Sequence, residues 1–150
     1  MQLLSRLSNY LVRYEKFIPF VLFILFLAVS IPGVNWGAPA LWNPDELVWR
    51  VIQAVNGEMV FDETEPDYNY PSLPKYVMFG IDKLVYGLGY GETEMIISAR
   101  VFSAVLGGLS IVLIYLLAKT ISGNVPVSVL AGIFGLVSSV VSENARFDHI

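Results

Sequence analysis

Three apolar runs, at 17–34, 101–118 and 125–141, constrain this chain more than any other feature. Each holds about 17–18 residues with no acidic or basic side chain, at the short end of what crosses a hydrocarbon core of roughly 30 Å. At 150 residues and 55% hydrophobic, the chain is too apolar for an ordinary soluble domain and leaves no sequence for a large soluble core. The expectation is an all-α membrane protein with three transmembrane helices. A loop over 35–100 joins the first two spans, and a tail over 142–150 follows the third. Asp45 lies just past the first run and Asp148 just past the third, so two crossings bring both carboxylates back to one face.

Charge sets the orientation. Residues 1–16 carry Arg6, Arg13 and Lys16 against Glu15 alone, whereas 35–100 carries ten acidic and four basic side chains. Lys119 falls in the short turn after the second run. The excess of Lys and Arg near membrane ends marks the cytoplasmic side, which puts the N-terminus and Lys119 inside and the 35–100 loop outside. A multi-pass protein of the plasma membrane follows, with its working face extracytoplasmic. The first run is longer than a signal-peptide core, so a retained anchor is expected although Ala38-Pro39-Ala40 resembles a cleavage site. There is no cysteine, hence no disulfide or thiolate metal site, and no basic stripe of the kind that binds nucleic acid.

Residues 3–16 place Leu4, Leu7, Leu11 and Tyr14 on one helical stripe, an interfacial lead-in to the first span. Pro19 is tolerated in the first turn of that span and Pro32-Gly33 ends it. Trp36, Trp42 and Trp49, all the tryptophans of the chain, cluster where the outer interface should be. Asn43-Pro44-Asp45-Glu46 is a strong helix start, with Asn as N-cap, Pro at N1 and Glu at N3. The resulting surface helix, about 44–56, is apolar along Leu47, Val48, Val51, Ile52 and Val55. Being short and one-sided, it should lie along the membrane. The stretch from Tyr68 to Pro74 reads as extended because of its prolines, and a second surface helix covers about 74–86. From Glu92 a helix should run unbroken through Arg100 to Lys119, about 42 Å. Ser103 with Gly107, and Ala104 with Gly108, are small residues four apart that let membrane helices approach closely. Ser122-Gly123-Asn124 turns the chain into the third span.

The spans contain no charge, which argues against an ion-coupled transport path. Chemistry must therefore come from the loop and the tail. Asp45 is the sharpest candidate, and its plain alternative is an acid that offsets the helix dipole. Arg146 and Asp148, two apart beside the bilayer, suit a base or a metal ligand, or else form a local ion pair. His149, the lone histidine, is a further candidate ligand. Arg100 either snorkels to the headgroups or binds a phosphate through its planar fork, and Lys75 has the same two readings. Tyr68, Tyr70 and Tyr76 suit stacking on a sugar or a lipid, although tyrosine is common at interfaces. The acidic run from Asp62 to Asp67 lacks the glycine and spacing of a calcium loop.

Taken in order, these motifs resemble those of the polytopic lipid-phosphosugar glycosyltransferases of the GT-C class. The order is a first span, Trp-Asn-Pro-Asp-Glu, Tyr-Pro-Ser-Leu-Pro-Lys-Tyr, Ser-Ala-Arg-Val-Phe-Ser-Ala-Val-Leu-Gly-Gly, and Ala-Arg-Phe-Asp-His. The nearest likeness is to the superfamily of the aminoarabinose transferases and the protein O-mannosyltransferases. The resemblance implies that Asp45, followed by Glu46, is the catalytic aspartate of the first external loop. It matches the family's proline-rich stretch to the segment from Pro71 to Tyr76, its arginine at the start of the second span to Arg100, and its later aspartate to Asp148 after Arg146. Two features depart from the pattern: the family's adjacent prolines are split as Pro71-Ser72-Leu73-Pro74, and Asn69 stands where some members place an acidic metal ligand. Family members are also several times longer, so the expectation is the N-terminal segment of a larger enzyme, inactive by itself.

The function so implied is transfer of a sugar from a polyprenyl-phosphate donor to an acceptor hydroxyl on a protein, lipid or glycan, with inversion and with Asp45 as base. Asp148 would orient the acceptor. Glu46, Lys75, Tyr76, Arg100 and Arg146 would bind substrate. The motifs fix no cofactor; a divalent metal stays open, with Asp45, Asp148 and His149 as candidate ligands. The alternative is a non-catalytic multi-span subunit or anchor in which Asp45 and Glu46 only cap a surface helix.

Overall fold

The structure is a computed structural model and describes residues 10–40, 48–58 and 72–138. It is all-helical, with no strand among the described residues. A single 3-10 turn at Glu15–Phe17 leads into α1 (Ile18–Ser30), followed by α2 (Val48–Val55), α3 (Ser72–Gly87), α4 (Glu92–Ser122) and α5 (Val125–Val137).

The 31 residues of α4 extend about 46 Å and form the spine of the molecule. Glu92 and Glu94 lie in its first turn, where carboxylates offset the helix dipole, and Glu94 Oε2 accepts a 3.0 Å bond from the N–H of Gly91. At the far end Gly123 takes a left-handed conformation (φ +62°) that a side chain would resist, and its N–H donates to the Lys119 carbonyl. Asn124 then caps α5 by accepting from the N–H of Val127, with Pro126 in the first turn where no amide is needed. Among the described residues α4 is the one helix long and apolar enough to cross a membrane.

α1 and α5 have 13 residues each, about 20 Å. The first apolar run therefore stops being helix sooner than expected. Pro32 breaks the hydrogen-bond ladder, Gly33 turns at φ +105°, and bonds from Val34 to Ile31 and from Trp36 to Gly33 continue the chain as tight turns. At α3 the helix starts two residues before its expected beginning, so Ser72 to Pro74 are helical rather than extended. Pro74 costs little there, because the amides of a first turn have no partner within the helix.

Two apolar clusters sit along α4. Near its start, Met95, Ile96 and Ala99 pack with Val48, Val51 and Ile52 of α2 and Met78 of α3. The apolar stripe of α2 is thus consumed by protein, since α3 and the first turns of α4 offer it a complementary face. Farther along, Ile111 and Tyr115 pack with Leu22 and Phe26 of α1, with Val129 and Leu136 of α5 against them. The small residues of α4 serve this second contact. Ser103, Ala104 and Gly108 are buried, and a Cβ on Gly108 would lie 2.8 Å from Cδ2 of Phe23. Gly132 on α5, absent from the sequence reading, is equally tight against Leu22, at 2.7 Å from its Cδ1. Gly108→Leu is expected to cost about 1–3 kcal/mol through overpacking. Gly80→Ala on α3, where an added Cβ meets nothing within 4 Å, should instead gain about 0.5–1 kcal/mol. Thermal unfolding midpoints in one detergent compare the two directly.

Polar ties join α1 and α4 at both ends. At one end Glu15 Oε1 pairs with Lys119 Nζ. At the other, Nη1 of Arg100 donates to the carbonyls of Val34 and Trp36. The Glu15–Lys119 side chains are about one-third exposed (33% and 37%), so water and salt weaken the pair. Glu15→Gln is expected to leave the thermal unfolding midpoint almost unchanged, and any small loss should vanish in high salt.

Candidate functional site

Of the candidate site residues, Lys75, Tyr76 and Arg100 are described; Asp45, Glu46, Arg146, Asp148 and His149 lie outside the described residues. The same holds for Trp42, Tyr68 and Tyr70. All three candidate metal ligands fall in that group, and among the described residues no group of three or more His, Cys, Asp or Glu side chains gathers.

Arg100 closes the third turn of α4 and is 1% exposed. It does not reach for the surface. Its Nη1 lies 2.8 Å from each of two backbone carbonyls, Val34 and Trp36, in the turns that follow α1. Those carbonyls are released by the break at Pro32-Gly33, and a guanidinium is well suited to collect them because its donors are fixed in one plane. The arginine thereby anchors the start of the loop that runs on toward Asp45. Trp36, which supplies one carbonyl, leaves its indole exposed, as does Trp49 on α2.

α3 divides Lys75 from Tyr76. Lys75, Met78, Asp82 and Val85 follow at intervals of three, four and three, which places them on one helical face. The first three are buried and Val85 is half-buried against the core. Tyr76 points the other way and is exposed together with Leu73, Leu84 and Tyr86. Of the two neighbours, Tyr76 is exposed and Lys75 is buried.

Asp82 is a site residue that the sequence reading missed. It is fully buried, and its Oδ1 lies 2.8 Å from Oγ of Ser98 on α4. Burial pushes its carboxyl up to about 6, with the Ser98 hydroxyl pulling in the opposite direction. An available signal was the register itself: an acid four residues after Met78 and three before Val85 sits on the apolar stripe of its helix. Chemically, the described residues supply a buried acid, a buried arginine clamp and an exposed tyrosine.

No family model matches the chain, and comparison with the curated proteins and with the solved structures returns no match.

Proposed function

We propose that this chain belongs to a membrane glycosyltransferase that moves a sugar from a polyprenyl-phosphate donor to an acceptor hydroxyl on the extracytoplasmic side. The observation that carries the reading is the continuity of α4. One helix leaves the apolar bundle and enters the core formed with α2 and α3, so the described helices of the 35–100 loop are packed on the end of a membrane-length rod. Its polar boundaries agree with a bilayer: Arg100 and Lys119 are nineteen residues apart, about 28 Å of helix, with no charge between them. The hydroxyl of Ser110, inside that stretch, is satisfied by the Leu106 carbonyl. The outward residues Phe20, Leu113 and Phe134, from three different helices, are largely exposed, as lipid-facing residues are.

In this reading α1, α4 and α5 are three spans, and the remaining apolar residues of 17–34 and 125–141 complete the first and third. The N-terminus and Lys119 are cytoplasmic. Asp45 removes the proton from the acceptor hydroxyl as it attacks the anomeric carbon, with inversion. Asp148 orients the acceptor, Arg146 faces the lipid phosphate, and Tyr76 stacks on the donor or its lipid. Arg100 and Lys75 act from the interior, positioning the loop.

A non-catalytic membrane subunit is the second reading, favoured by the burial of Arg100 and Lys75 and by the carbonyl bonds that occupy Arg100. The assay that separates the two is sugar transfer by the intact protein from defined polyprenyl-phosphate sugars, with and without a chelator. Turnover supports the transferase, and its dependence on the chelator reports the metal. No transfer from any donor, with the protein folded and inserted, favours the subunit.

A further inference from the structure

The Ser98 hydroxyl lies 2.8 Å from Oδ1 of Asp82 and also 2.8 Å from the carbonyl oxygen of Met95, one turn back on its own helix. A hydroxyl has a single proton and cannot donate to both. If Ser98 donates to an ionised Asp82, two oxygen lone pairs face each other across the contact with Met95. If Asp82 is the neutral acid, every contact is satisfied: Asp82 donates to Ser98, and Ser98 donates to Met95. Among the described residues no donor reaches Oδ2 of Asp82, which suits the carbonyl oxygen of a neutral acid better than a carboxylate. We infer that Asp82 and Ser98 form a proton-dependent latch that fastens α3 to α4 when Asp82 carries a proton and loosens when it is lost.

Among the described elements α3 packs against α2 and α4. Besides Asp82 itself, the ionisable groups these three helices carry are Arg50 on α2, Lys75, Tyr76, Lys83 and Tyr86 on α3, and Glu92, Glu94, Arg100, Tyr115 and Lys119 on α4. Among the described residues the hydrogen-bond partner of its carboxyl is Ser98 and none of these groups. The influences on its carboxyl are burial, which favours the neutral acid, and the Ser98 hydroxyl. The sign follows from a folded value of about 6 against 3.8 for an unperturbed aspartic acid. The neutral latch is fully present below the lower value and is lost as the pH rises through the upper one. Because α3 carries Tyr76 outward and Lys75 inward, loosening it moves both, whatever ligand the loop serves.

The test is amide hydrogen exchange of α3 in the intact protein, read at about pH 5 and about pH 7.5 and corrected for the intrinsic pH dependence of exchange. In the parent protein α3 should exchange at least about tenfold faster at the higher pH. Asp82→Asn, whose amide can donate to Ser98 at either pH, should exchange slowly at both. Ser98→Ala keeps the acid but removes its partner, and should speed exchange of α3 at about pH 5. Infrared spectra should show a protonated carboxylic acid in the parent that disappears as the pH passes about 6 and is missing from Asp82→Asn. The latch is overturned if the parent's α3 exchanges equally at both pH values, if Ser98→Ala leaves exchange at the lower pH unchanged, or if Asp82→Asn retains the parent's pH dependence or its acid band.

Discussion

Replacing Arg100 by Met is expected to lower the stability of the protein by about 2–4 kcal/mol. Met keeps much of the apolar stem, so the change removes chiefly the guanidinium. Two carbonyls, Val34 and Trp36, then lose a donor at 2.8 Å, in turns whose backbone cannot return to the α1 ladder because Pro32 has broken it. An orphaned buried carbonyl costs about 1–3 kcal/mol, partly offset because a buried cation no longer has to be desolvated. Arg100→Lys should recover part of the loss, since an ammonium keeps the charge but not the planar pair of donors. Thermal or denaturant unfolding in detergent measures the size of the effect, and limited proteolysis across 31–40 locates it. An unchanged midpoint together with unchanged protection of 31–40 would show that the clamp does not hold the turn.

The second large effect concerns activity. Asp45→Asn is expected to reduce sugar transfer by about 10²–10⁴-fold while leaving the protein folded and inserted. An amide at neutral pH cannot take the proton of an attacking hydroxyl, yet it has nearly the shape of the carboxylate. The structural loss should stay within the roughly 0.3–1 kcal/mol that a first-turn acid contributes through the helix dipole. This separation of scales gives the test its force. A capping acid changes stability slightly and transfer hardly at all, whereas a base does the reverse. Transfer by Asp45→Asn at a rate near the parent's would remove Asp45 from the chemistry and leave it as a helix-start residue.

The two effects are joined along the chain. The arginine that holds Val34 and Trp36 also holds the beginning of the segment that continues to Asn43 and Asp45. Arg100→Met should therefore disturb activity as well as stability, and the two losses should recover together in Arg100→Lys. Asp45→Asn should not show such coupling, because nothing in its expected role involves the fold.

The helices themselves were legible because their signals are local. Pro32-Gly33 ends α1, Gly123-Asn124 separates α4 from α5, and the run from Glu92 to Ser122 contains no proline. The small residues of α4 also announced a close approach, and Phe23 is the side chain that makes it at Gly108. The candidate site was less legible. Its acids and Arg146 stand out by their place in the chain and by the resemblance, whereas the partners of Arg100 and Asp82 are not legible from residue type.

What the sequence alone determined is which segments are helical, their ends to within about a turn, and which of their faces are apolar, because turns, caps and a 3.6-residue period act over a few residues. Only the tertiary structure decided what each face meets. The stripe of α2 could have lain on lipid, but Met78 and Met95 cover it. Arg100 could have reached a phosphate, but it finds carbonyls 64 and 66 residues away. Asp82 could have been a solvated acid on a surface helix, but it is buried and meets the half-buried Ser98, 16 residues on. Such pairings depend on which elements come together in space. No short-range pattern encodes that, since burial and partner choice are settled when helices distant in the chain exclude water from one another.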